Sequence, residues 1–132
     1  MYMLDTNICI YLINNKHPEL AHKIIDIPRD KICISSVTLA ELEYGVAKSE
    51  RIKENAQSLK QFISVINVVN FDGLAAEEYG GIRAALESKG KTIGPLDMLI
   101  ASHARSRRDA IITNNTKEFA KVDGLLVEDW TR

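Results

Sequence analysis

Three acidic side chains stand in apolar stretches, where a solvated charge is least expected. Asp5 ends a short apolar run at the start of the chain, Glu41 is flanked by leucines, and Asp97 opens an apolar stretch with helical spacing. An unpaired buried carboxylate is costly, and two carboxylates about 4 Å apart repel by roughly 4 kcal/mol at an effective dielectric of about 20. If the fold brings the three acids together, they must raise their pKa values or recruit a cation.

The oxygen chemistry of these acids favours a hard divalent ion. Mg²⁺ and Mn²⁺ prefer carboxylate oxygens, and Mg²⁺ commonly keeps several of its waters beside one or two carboxylates. Each acid also has an ordinary structural explanation. Asp5 can cap the helix that follows it, Glu41 can sit in a surface ion pair, and Asp97 can be stabilised by the dipole of its helix. The combination favours a metal site that includes Asp5.

Short apolar runs predict the strands that position these acids, at residues 2–4, 31–35, 68–69, 110–113 and 125–127. Stretches with helical spacing lie between them, and Thr6 and Asn7 can cap the first helix. Because strands alternate with helices, we expect a parallel sheet covered on both faces. Sites in such sheets lie at the carboxyl ends of the strands, and this is where the acids would meet.

Several local features predict where individual helices begin and how they pack. Ser36 or Thr38 is expected to cap the helix that carries Glu41, and residues 49–66 are expected to form one amphipathic helix. Asp72 is expected to cap a helix that continues to about Lys89. The adjacent Gly80 and Gly81 weaken that helix by about 1 kcal/mol each, which suggests that another backbone approaches closely there.

Bulk composition indicates one ordinary domain over residues 1–132. With 45% hydrophobic and 27% charged residues, the chain can bury a core and is not expected to be disordered. The formal net charge of −1 argues against general coating of nucleic acid. Cys9 and Cys33 lie in apolar runs and are expected to be buried free thiols. No apolar run has the length of a membrane span and no signal peptide is visible, so we expect a cytoplasmic protein.

Four strings of residues, together with the closing stretch Val127–Trp130, resemble the PIN-domain ribonucleases. Within that family the likeness is strongest to the VapC toxins of bacterial toxin–antitoxin pairs. The resemblance implies a single PIN-like domain over residues 1–132, in three α/β/α layers with a central, mostly parallel sheet of four to five strands. The strings are Leu4–Asn7, Ser35–Leu42, Gly94–Ala101 and Ile112–Phe119.

The resemblance also implies roles for particular residues. Asp5, Glu41 and Asp97 match the three acidic positions of the family, with Asp5 and Asp97 as ligands of Mg²⁺ or Mn²⁺. A fourth acid commonly follows the fourth strand, and here that position is Asn115. An amide oxygen brings no charge, so the nearby Glu118 is an alternative source of the carboxylate. Asn7 and Thr113 match polar positions that support the metal site.

The expected activity is metal-dependent cleavage of RNA, which in a toxin of this family would inhibit translation, with transfer RNA among the possible targets. Lys91, Arg105 and Lys117 are candidate contacts for RNA phosphates. Aromatic residues make up only 6% of the chain, so a large stacking platform is not expected. The resemblance further implies a VapB-type antitoxin partner, a homodimer, and binding of operator DNA only through the antitoxin.

Two other classes of function compete with this one. Strand-end aspartates also act as nucleophiles in phosphoryl transfer, and Asp5-Thr6-Asn7 is loosely similar to the Asp-x-Asp start of haloacid dehalogenase-like phosphatases, although the second Asp is missing. A non-catalytic PIN scaffold that acts with a partner on operator DNA is the other alternative. Trapping of an aspartyl-phosphate would favour the first, and absence of acid-dependent metal binding would favour the second.

Overall fold

Five parallel strands form the central sheet of the computed structural model, which describes residues 1–132. The strands lie in the order β3-β2-β1-β4-β5, and all four neighbouring pairs are parallel. The prediction of a parallel sheet is therefore confirmed, and no strand is antiparallel. The strands are β1 (Tyr2–Leu4), β2 (Ile32–Ser35), β3 (Asn67–Val69), β4 (Ala110–Ile112) and β5 (Val127–Glu128).

Seven helices cover the sheet, four on one face and three on the other, which gives the three expected layers. The first four pack on one face and the last three on the opposite face. The helices are α1 (Thr6–Ile13), α2 (Pro18–Ile25), α3 (Ser36–Ala47), α4 (Ile52–Ser64), α5 (Gly73–Ser88), α6 (Pro95–Arg107) and α7 (Thr116–Phe119), and a 3₁₀ turn spans Arg29–Lys31.

Consecutive residues of each central strand point to opposite faces and supply two separate cores. Met3 and Ile111 pack against α5, α6 and α7, whereas Leu4 and Ile112 pack against α1 to α4. Burial on both faces explains why these strands read as continuous apolar runs rather than as an alternating pattern. Phe119 is the largest fully buried side chain, and it fixes α7 against the sheet.

Side-chain caps begin three helices, and one of them differs from the sequence prediction. Asp5 caps α1, which is the structural role that the sequence left open for it beside caps at Thr6 or Asn7, whereas Ser35 rather than Ser36 or Thr38 caps α3. Helix α3 starts directly after β2 without a loop, so the last strand residue has the extended backbone that a capping residue requires. The prediction that Asp72 caps α5 is confirmed by its bond from the Ala75 amide.

The start of α4 and the packing at the glycine pair of α5 differ from the predictions, whereas the state of the cysteines agrees with them. Helix α4 begins at Ile52 rather than at Ser49. The expected close approach at Gly80 and Gly81 is wrong, because both are exposed and a Cβ added at either would meet nothing within 4 Å. The cysteine prediction is confirmed, since both thiols are buried and free. No helix is both long enough and apolar enough to cross a membrane.

Candidate active site at the carboxyl edge of the sheet

Asp5 directly follows β1, and its two carboxylate oxygens connect helix α1 to the end of β4. Its Oδ1 accepts a hydrogen bond of 2.9 Å from the Ile8 amide, which caps α1. Its Oδ2 accepts a 2.5 Å bond from the hydroxyl of Thr113, the residue that follows β4. The Thr113 hydroxyl in turn accepts a 2.9 Å bond from the Asn115 amide. Asp5 is only 4% exposed, so its charge sits at the floor of the site.

Burial shifts the pKa of two of the acids upwards. Desolvation is the largest effect on Asp5, whose pKa rises to about 6, although its bonds from Thr113 and Ile8 oppose the shift. The charges of Asp97 and Glu41 raise it further. The pKa of Asp97 is also raised, first by desolvation and then by Glu41 and Glu118. Asp5, Glu41 and Asp97 therefore lie within electrostatic reach of one another, and Glu118 lies within reach of Asp97.

Glu41 reaches the site from the second turn of α3. Its Oε1 accepts a 2.6 Å bond from the hydroxyl of Thr6, the first residue of α1. The Oε2 atom makes no hydrogen bond within the chain. Thr6 thus orients one oxygen of Glu41 and leaves the other available to a ligand.

Asp97 stands in the first turn of α6. The helix begins at Pro95, whose fixed φ suits a first helical position, and Gly94 precedes it. A Cβ on Gly94 would lie 3.6 Å from Asp97 Oδ2, which is an ordinary van der Waals contact, so Gly94 lies directly beside the carboxylate. The amino end of the helix favours a negative charge at this position.

One cavity of about 790 Å³ collects these side chains. Its thirteen lining residues include the three predicted acids together with Thr6, Asn7, Tyr44 and Lys48. The sheet is parallel, so the ends of β1 and β2 and the start of α6 meet at the same edge, as the topology rule requires.

The donor set suits a magnesium or manganese ion that keeps part of its water. No group of three or more His, Cys, Asp or Glu side chains lies close enough to hold a metal on protein atoms alone. Magnesium is usually bound by one or two carboxylates and several waters, so a complete protein cage is not required. Asp5 and Asp97 offer hard carboxylate oxygens with raised pKa values, and a bound cation would favour their charged forms.

The supporting residues fall into two groups. Asn7 is exposed and lines the cavity, and Thr113 is buried against Asp5. Asn115 precedes α7, and neither Asn115 nor Glu118 lines the cavity. Glu118 acts on the pKa of Asp97 and also forms a 3.1 Å ion pair with Lys121. Of the two candidates for the fourth position, Glu118 therefore supplies a charge within electrostatic reach of Asp97.

Two of the three predicted phosphate contacts lie around Asp123 rather than at the acids. Arg105, near the far end of α6, bonds to Glu78 at 2.5 Å and to the carbonyl of Asp123 at 2.8 Å. The Lys89 ion pair lowers the pKa of Asp123, and Lys91 and Arg105 add to the effect. Lys91 and Arg105 therefore surround Asp123 rather than Asp5. Lys117 is exposed on α7.

Sequence reasoning missed three side chains of this cavity. The Thr6 hydroxyl resembled a simple helix cap, and Tyr44 and Lys48 resembled ordinary helix residues. A signal was present, because Tyr44 and Lys48 follow Glu41 by three and seven residues. Residues at that spacing share one face of a helix.

The chain is similar to known proteins over nearly its whole length. A family model described as the PIN domain matches residues 2–125. The tRNA(fMet)-specific endonuclease VapC of Shigella flexneri is 48% identical over 130 residues, 98% of each chain. The chain therefore belongs to the PIN-domain family, and within it to the VapC group.

Solved structures agree with this assignment. VapBC2 from Rickettsia felis, bound to a DNA fragment from its promoter, superimposes with a TM-score of 0.93 at 41% identity, covering 98% of both chains. DNA-bound VapBC from Salmonella typhimurium gives a TM-score of 0.93 at 43% identity, covering 98% of this chain and 97% of that one.

Proposed function

We propose that the chain is a metal-dependent endoribonuclease and the toxin of a VapBC toxin–antitoxin pair. The observation that carries the proposal is the single cavity shared by Asp5, Glu41 and Asp97 in a chain of the VapC group. The relative from Shigella flexneri is named as an endonuclease specific for tRNA(fMet). We extend ribonuclease activity to this chain on that basis, with transfer RNA as the first substrate class to test and inhibition of translation as the consequence.

In the proposed reaction Asp5 and Asp97 hold Mg²⁺ or Mn²⁺. When bound, such an ion lowers the pKa of a water and polarises the phosphodiester. Glu41 accepts the proton of the attacking water through its unengaged oxygen, while Thr6 fixes the other oxygen. Water then adds to phosphorus and the bond to the leaving oxygen breaks, with no covalent enzyme intermediate. The leaving oxygen takes up a proton from solvent, and Glu41 returns its proton to solvent, so the reaction balances as hydrolysis. Thr113 keeps Asp5 in place, and Glu118 rather than Asn115 supplies the additional negative charge.

The binding partners of the chain are inferred from the same VapC relatives. Solved relatives are VapBC assemblies, some of them bound to DNA. We assign this chain a VapB-type antitoxin, binding to operator DNA through that antitoxin, and a homodimeric toxin within the complex.

Neither alternative function is favoured by an observation on this structure. The phosphoryl-transfer alternative lacks the second aspartate of the Asp-x-Asp start, because position 7 is Asn7. A scaffold without catalysis gives no reason for carboxylates to share one cavity. Trapped aspartyl-phosphate would support the first alternative, and folded protein without acid-dependent metal binding would support the second.

The decisive experiment maps cleavage sites on total cellular RNA, with and without Mg²⁺. Asp97→Asn removes one ligand charge and should lower the cleavage rate about a hundredfold or more, while circular dichroism shows an intact fold. Asp26→Asn is the matched control, because Asp26 is exposed at the end of α2 and outside the cavity. Full activity in folded Asp97→Asn protein, or equal cleavage with a chelator present, contradicts the proposal.

A further inference from the structure

Helix α3 and its C-cap residue carry a row of three side chains into the acidic cavity. Glu41, Tyr44 and Lys48 are spaced by three and four residues, and all of them line the cavity. From Glu41 to Lys48 the helix advances by about 10 Å, or two turns. The row therefore runs from the proposed reaction centre towards the outer part of the cavity.

Tyr44 presents an aromatic ring to solvent, and a charge is placed over it. Its side chain is 65% exposed, although a tyrosine usually buries most of its ring. The Lys48 ammonium lies 4.9 Å from the centre of that ring, within the range of a cation–π contact. The two side chains thus form one composite surface of a π face and a positive charge.

The composition of the cavity makes this pair distinctive. Among the thirteen lining residues Tyr44 is the only aromatic side chain and Lys48 the only cation. The remaining charges are the carboxylates of Asp5, Glu41 and Asp97. A polyanion that enters such a cavity is repelled by the acids, so at least one phosphate gains from a nearby ammonium group.

We propose that Tyr44 and Lys48 form a nucleotide-binding subsite beside the reaction centre. A base adjacent to the scissile phosphate stacks on the ring of Tyr44, and Lys48 binds a neighbouring phosphate. Stacking on an aromatic ring tolerates any base, because every base has a π face. The substrate class is an unpaired RNA segment such as a loop, whose bases are free to stack. This inference rests on the proposed ribonuclease function and adds a substrate-binding surface to it.

The test separates binding from cleavage by using Asp5→Asn protein, in which cleavage should be blocked. Binding of a fluorescein-labelled transcript of initiator transfer RNA is followed by anisotropy over a range of salt concentrations. In that background Tyr44→Leu should weaken binding about tenfold, which is within the range reported for loss of one stacking contact. Tyr44→Phe, which keeps the ring, should bind more tightly than Tyr44→Leu.

Lys48→Gln provides an independent test that does not depend on how Tyr44→Leu folds. It should weaken binding and reduce the salt dependence by about 0.7 in the logarithmic slope, the contribution of one phosphate on a single strand. Lys53→Gln is the matched control, since Lys53 is an exposed lysine of α4 outside the cavity. It should change neither quantity.

The cleavage assay with native Asp5 separates failure of this inference from failure of the proposed function. If the parent chain cleaves RNA, then Tyr44→Leu and Lys48→Gln should raise KM more than they lower kcat. Unchanged RNA binding and unchanged KM in both variants overturn the subsite while leaving the ribonuclease intact. Weakened binding of the antitoxin with unchanged RNA binding also overturns it, and assigns the surface to the protein partner. If the parent chain cleaves no RNA, the proposed function itself is wrong.

Discussion

Asp5 serves the fold and the site with the same two oxygens. It caps α1 through the Ile8 amide and connects to the end of β4 through Thr113. These bonds favour the charged form, yet burial outweighs them and raises the pKa to about 6. A capping residue at the surface has no need for such burial. The unfavourable position of the charge is what the proposed cation site would offset.

The pKa shift of Asp5 predicts how the stability of the metal-free chain depends on pH. With a folded pKa of about 6 against an ordinary 3.8, the folded state binds more protons between these values. The free energy of unfolding must then fall as pH rises through that window, by about 3 kcal/mol in total. Urea denaturation in a chelator at several pH values measures the change.

Asp5→Asn should remove most of that pH dependence, because the amide does not titrate and its oxygen can still accept the bond from Ile8. Asp26→Asn should keep the dependence of the parent. An Asp5→Asn chain whose stability falls with pH as steeply as the parent's would show that other groups are responsible.

Single residues were predictable from sequence only where their chemistry conflicts with their surroundings. Asp5 and Asp97 attract attention because a charge interrupts an apolar run. Thr6, Tyr44 and Lys48 do not, because a hydroxyl in a first turn and exposed residues on a helix are common everywhere. Their connection to the acids depends on how α1 and α3 face each other, which periodicity does not specify.

At the scale of elements, one buried pair connects the helices that carry Glu41 and Asp97. Ser35, at the end of β2, caps α3 through the Val37 amide, and its oxygen lies 2.8 Å from His103 Nδ1 on α6. His103 is 1% exposed, and this bond makes it a satisfied core histidine. Desolvation lowers its pKa, so the ring stays neutral and keeps this bond.

Ser35→Ala should therefore loosen both helices. Loss of the cap costs about 1–2 kcal/mol, and His103 loses its partner as well. We expect a lower midpoint in urea together with slower RNA cleavage, since α3 and α6 position the acids.

Ser64→Ala is the matched control for this prediction, because Ser64 is exposed at the end of α4 and bonds only to a local carbonyl. It should leave both measurements close to those of the parent. Parent-like stability in Ser35→Ala would exclude the connection.

The existence of each element was predictable, whereas its start often was not. Apolar runs identified β1, β2 and β4, because a strand buried on both faces leaves a continuous apolar signal. The more exposed β5 begins at Val127, two residues later than predicted. The cap of α3 was assigned one or more residues too late because β2 passes into α3 at Ser35 and Ser36 with no loop between them. The junction contains no turn-forming residue that would mark the start of the helix in the sequence.

For the whole molecule, the metal site should couple to global stability. An ion that binds only the folded chain stabilises it by about 2.7 kcal/mol at a concentration of 100 Kd. At pH 7.5, Mg²⁺ or Mn²⁺ should raise Tm, and Asp97→Asn should remove most of the increase. Sodium chloride at matched ionic strength is the control for screening, and an equal increase with that salt would contradict a specific site.

The gathering of the acids was predictable from topology alone, since parallel strands end at one edge. Their final spacing was not, because it depends on side-chain directions at the start of α6, where Gly94 leaves room beside Asp97. The position of Arg105 was likewise beyond sequence reasoning, since its ion pair with Glu78 joins α6 to α5 far from Asp97 along the helix.

Trp130 packs against strand β1. The centre of its ring lies 4.9 Å from the centre of the Tyr2 ring, and Trp130 is only 2% exposed. It is the single tryptophan, and it does not line the acidic cavity. The protein consequently carries an intrinsic fluorophore that reports on the integrity of the core. A red shift in indole emission would signal loss of structure, whereas occupancy of the cavity should leave the spectrum nearly unaltered.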